Sequence, residues 1–184
     1  MLFGVDDPTL SAVKVDRSDA FVNLGRLSNL EKFSHELISV AKNRVPQGNS
    51  PVSYDIKLLF DKVPRYIEHF RSEYRDNLHV AARTDRLYVH VTKARSDHFF
   101  EGGSADLSNI DALHEYAHSV VAIAEYVIAH GYGIIGVYIH DLVQIASNHL
   151  SKMDDATSIA LKERITRVGE EMFDTGQGHH KNFL

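Results

Sequence analysis

The stretch from Ser108 to Leu150, SNIDALHEYAHSVVAIAEYVIAHGYGIIGVYIHDLVQIASNHL, constrains this chain more than any other. Apolar residues recur at helical spacing on both sides of Gly131-Tyr132-Gly133, which predicts two amphipathic helices folded back at that hinge. Between Ala117 and Ala146 the apolar run is broken by Glu125, His130, His140 and Asp141. Such interruptions argue against a membrane span and for a buried helical pair.

Upstream, Thr9 to Val15 and Ala20 to Leu24 carry short β-branched and apolar runs, which predict two short strands around a turn. Ser28-Asn29-Leu30-Glu31 matches a capping box, opening a helix to about Arg44 with Leu30, Phe33, Leu37, Ile38 and Ala41 on one face. Val45 to Ser53 holds two prolines and a glycine and predicts a loop. Helical spacing resumes from Tyr54 to Arg75, where Pro64 should kink the helix or stand in the first turn of a second one. Leu78 to Ala82 and Arg86 to Lys93 predict a β-hairpin, with Leu87, Val89 and Val91 alternating against Tyr88, His90 and Thr92. Arg95 to Leu107 predicts a long loop. Asp154 and Asp155 offer an N-cap for a helix from Ala156 to about Phe173 with Ile159, Ile165, Val168 and Met172 inward, followed by a polar tail, Thr175 to Leu184.

The expected fold is therefore α+β and helix-rich: short N-terminal strands and a β-hairpin, then a C-terminal antiparallel helical bundle. One domain of 184 residues is expected, with an α+β part over 1–107, the bundle over 108–174 and the tail over 175–184.

Charge narrows the function classes. With 20 basic and 25 acidic residues the net charge is -5, which argues against a broad nucleic-acid surface. The absence of cysteine excludes disulfides, thiolate metal sites and a cysteine nucleophile. Met1 to Asp7 carries acids where a secretory leader would carry positive charge, so a cytoplasmic location is expected, in a host cell or virion if the chain is viral. Histidine is abundant, at 12 residues.

Two of those histidines form a motif, His114-Glu115-Tyr116-Ala117-His118. Residues four apart on a helix face the same way, so His114 and His118 can ligate one Zn²⁺ while Glu115 acts as base on the bound water. The pattern resembles the HExxH signature of zincin metallopeptidases. That resemblance implies a third ligand, for which His149, Glu163 and Glu170 are the candidates. Glu125 lies seven residues beyond His118, about 10 Å of helical rise, too far to join both histidines on one ion. His140-Asp141, with His114 or His118 upstream, resembles the histidine and His-Asp elements of HD-domain phosphohydrolases.

The competing interpretation makes Glu125 and His140 a satisfied buried pair, with His114 and His118 capping or lining a subunit contact. On balance the sequence favours a non-enzymatic interaction or assembly protein, of the kind found among viral or phage structural and accessory components. It would act through a protein partner or as a homo-oligomer, without a membrane, nucleic acid or cofactor. The zinc peptidase and the phosphohydrolase are the alternatives.

Overall fold

The computed structural model describes residues 17–102, 104 and 106–180, with the side chains of 17, 20 and 175–180 left aside. Among the described residues the chain is all-helical: α1 Arg17–Val22, α2 Leu27–Arg44, α3 Ser53–Glu73, α4 Leu78–His98, α5 Ile110–His130, α6 Gly133–Leu150 and α7 Ala156–His180. No strand forms there. The α+β expectation is thus overturned, while the helical packing of the C-terminal part is found.

The hairpin expected over Leu78–Lys93 is instead the continuous helix α4. Alternation over seven residues competed with a longer helical stripe, Val80, Thr84, Leu87, Val91 and Ala94, and the stripe prevailed because it meets the core. Val89, which a strand would have placed beside Leu87 and Val91, is exposed. The Asn77 side chain opens the helix by accepting from the amides of His79 (3.1 Å) and Val80 (3.2 Å). The hydroxyls of Thr84 and Thr92 donate to carbonyls one turn back, Val80 (3.0 Å) and Tyr88 (2.7 Å), so β-branched residues sit in the helix with their polar atoms satisfied.

The strand expected over Ala20–Leu24 is overturned by α1, and the one over Thr9–Val15 lies outside the described residues. Tertiary bonds hold this short helix. Asp19, almost fully buried, accepts from Tyr138 (2.6 Å) and Tyr66 (2.9 Å) and pairs with Lys62 (3.2 Å), tying α1 to α3 and α6. The capping box does not form either. α2 begins at Leu27 with no side-chain cap, Asn29 donates to the carbonyls of Val22 and Asn23, and Glu31 turns to Arg83.

Two three-helix groups share one hydrophobic core. In the first, α3 runs antiparallel to α4, as the pairs Arg95–Asp61 (2.7 Å) and Arg71–Asp85 show. α2 lies parallel to α4: Arg83 meets Glu31 at one end, and at the other His98 Nε2 lies 2.8 Å from the Val45 carbonyl oxygen. In the second group α5, α6 and α7 pack mutually. Gly131, with φ 64, takes the left-handed turn between α5 and α6 at the expected hinge. α2 also packs on α5 and α6, so it stands between the groups.

That position lets α2 supply what α6 lacks. Gly131-Tyr132-Gly133 offers no capping side chain, and the Ile135 amide donates instead to Glu36 Oε2 at 2.7 Å. Burial raises the Glu36 carboxyl above its ordinary range, outweighing the lowering by the amides of Ile135 and Ile134 and by Lys32.

No helix among the described residues is long and apolar enough to cross a membrane.

Candidate functional site

The HEYAH motif sits on α5, and its chemistry-bearing residues do not converge. Leu113, Tyr116, Ala117 and Val120 form the buried face, so the two spacer residues of the motif are core. Glu115 and His118 are exposed, and His114 is half-buried toward α7. There His114 Nε2 lies 2.8 Å from Ser158 Oγ and 3.6 Å from Asp155 Oδ1. Asp155 is the N-cap of α7 as the sequence predicts, accepting from the Ser158 amide (2.9 Å) and hydroxyl (2.6 Å). Those two bonds, together with His114, hold the Asp155 carboxyl below its usual range.

This arrangement fastens α5 to α7. It lacks the order of a nucleophilic triad, in which histidine stands between acid and hydroxyl. Here the fully buried Ser158 stands between. Of the candidate third ligands, His149 is half-buried on α6, whereas Glu163 and Glu170 face solvent on α7. No group of three or more His, Asp or Glu among the described residues could hold a metal ion. For the HD-type reading, Asp141 accepts from Ser18 (2.8 Å), a bond that holds α1 to α6. Glu125 is exposed, so it forms no buried pair with His140.

A different place in the fold concentrates charge. Between the parallel helices α2 and α4 runs a groove of about 890 Å³. Its α4 wall carries His79, Arg83, Arg86, His90, Lys93 and Asp97, spaced four and three residues alternately. That spacing is the heptad seam which a neighbouring helix meets. Glu31, His35, Ile38 and Lys42 form the α2 wall at the same spacing, while Ser34, Leu87 and Ala94 are the buried floor. From residue 79 to 97 the seam spans about 27 Å at helical rise.

Four cations and two acids line the groove, a balance of +2 before the histidines are counted, on a chain whose net charge is -5. Arg83 is held by Glu31 (2.7 Å) and Lys93 by Asp97 (2.6 Å). Lys42 and Arg86 enter no ion pair among the described residues and are exposed. The groove thus offers two uncommitted cations above a short apolar floor.

Sequence reasoning missed this site because it placed Arg86, His90 and Lys93 on a strand. The signal was present: as a helix, Leu78–His98 puts His79, Arg83, Arg86, His90 and Lys93 on one face.

No protein-family model matches this chain, and neither the curated proteins nor the solved structures contain a match to it.

Proposed function

We propose that this protein is a non-enzymatic interaction or assembly protein whose working surface is the groove between α2 and α4. The carrying observation is the coincidence of helical seam spacing with a positive balance in the groove of an acidic chain. A groove of that kind is suited to an acidic, partly apolar protein segment, since opposite charge steers and orients a partner while apolar contact holds it. A cytoplasmic location, within a host cell or a virion if the chain is viral, belongs to the same proposal.

The test is an NMR titration with a 20-residue peptide of alternating glutamate and leucine turns, against the wild type and Lys42→Glu/Arg86→Glu. The expected result is a set of shifts confined to α2 and α4, with affinity at least tenfold weaker in the variant. Shifts scattered over the surface, or equal affinity for both proteins, would reject the groove as the working surface.

A further inference from the structure

α7 packs on α5 and α6 through Ser158, Leu161, Ile165, Val168 and Met172, all buried. Its opposite face has a second stripe at the same four-and-three spacing: Ile159, Glu163, Thr166, Glu170 and Phe173, with Asp174 beside it. Every one of these is exposed. Ile159 is 51% and Phe173 58% exposed. Glu163 and Glu170 make the stripe acidic, with Asp174 on one side of it and Lys162 on the other, and its length from 159 to 173 is about 21 Å, within the reach of the groove.

The two surfaces match in spacing, length and sign. They lie on separate helix groups, α7 against α5 and α6 and the groove between α2 and α4. Resting on the proposed role of the groove, we infer that its occupant is α7 of a second copy of this chain. Glu163 and Glu170 of that copy, about 10 Å apart along α7, face Lys42 and Arg86, and Thr166 between them lies over Ile38 and the floor. Because one patch meets a different patch, the contact is head-to-tail. Repetition then closes a ring or extends a filament instead of stopping at a two-fold dimer.

Sedimentation velocity over a concentration series tests this with four proteins: wild type, the groove variant Lys42→Glu/Arg86→Glu, the α7 variant Glu163→Lys/Glu170→Lys, and the chain carrying all four changes. All four altered positions are exposed, and circular dichroism checks each fold. Wild type should associate beyond the dimer, less so at high salt. Each double variant alone should associate at least tenfold more weakly. An equimolar mixture of the two should again assemble beyond the dimer, in strict alternation, since each reversed groove meets a reversed α7 stripe and each unaltered groove an unaltered stripe, and the fourfold variant should regain assembly with the charges exchanged.

A wild type that stays monomeric overturns the inference, as does assembly indifferent to either reversal or a mixture that assembles no better than the double variants alone. If the wild type is monomeric yet the acidic peptide still lands in the groove, the occupant is a foreign acidic helix and the proposed function stands. If both fail, both fall.

Discussion

Tyr116, the middle residue of HEYAH, donates a 2.7 Å hydrogen bond from its buried phenol to Asp55 Oδ2 on α3. The bond joins the two helix groups. Burial and the neighbouring carboxylate hold the phenol far above its ordinary range, so it is a permanent donor, and burial raises the Asp55 carboxyl despite that bond.

Tyr116→Phe keeps the ring and removes the donor, leaving a desolvated carboxylate unpartnered. The expected loss is about 1–2 kcal/mol at neutral pH, measured by urea unfolding. It should shrink as the pH is lowered into the carboxylate range, where Asp55 takes up a proton. A loss that does not change with pH would show that the bond to the charged form is unimportant.

Glu36 gives a prediction with opposite signs for two substitutions. Glu36→Ala uncaps α6 and should cost about 1–2 kcal/mol. Glu36→Gln keeps an acceptor for the Ile135 amide without burying charge, and should raise the melting temperature near neutral pH. The raised carboxyls of Glu36 and Asp55 contribute to the pH dependence with one sign, opposite to that of the lowered Asp155 carboxyl. Below the ordinary carboxylate range Glu36 and Asp55 are protonated folded and unfolded. As pH rises through that range the unfolded chain loses its protons first, so their contribution to stability falls until the folded-state values are passed. Melting curves of Glu36→Gln across that window should show a shallower fall than wild type.

His114→Ala removes one of the two partners of the buried Ser158 hydroxyl and should destabilise by about 1 kcal/mol, while His118→Ala on the exposed face should leave the melting temperature unchanged. Elemental analysis of untagged protein should find no stoichiometric zinc in wild type or either variant. Zinc present in wild type and lost in His118→Ala would restore the peptidase reading.

Asn77→Ala should cost about 1 kcal/mol by unmaking the α4 cap, and should fray the His79 end of the groove. Asn77→Asp should recover the loss. Amide exchange of His79 and Val80 distinguishes the two outcomes.

The legible parts of this fold were those where one signal stood alone. The α5–α6 hinge at Gly131, the loop after Val45, the Asp155 cap of α7 and the inward faces of α2 and α3 all follow from local pattern. Ile159 was assigned inward and is exposed; Leu161, two residues on and about 200° round the helix, is buried. α4 was illegible because β-branched alternation and a helical stripe coexist in it, and only packing against α2 and α3 decides between them. α1 was illegible for a related reason: Asp19, the residue that fixes it, is satisfied by Tyr66 and Tyr138 from 47 and 119 positions away. In HEYAH the pattern fixed only the helix: burying Tyr116 and Ala117 turns Glu115 and His118 outward.

His35 and Glu36 are consecutive, yet one lines the groove and the other caps α6 on the far side of α2. A single helical step therefore separates the partner-facing surface from the start of another helix. An occupant that clamps α2 would restrict the rocking that opens the Glu36–Ile135 bond. Slowed exchange of the Ile135 amide would then serve as an internal gauge of occupancy, readable at an amide that no partner touches.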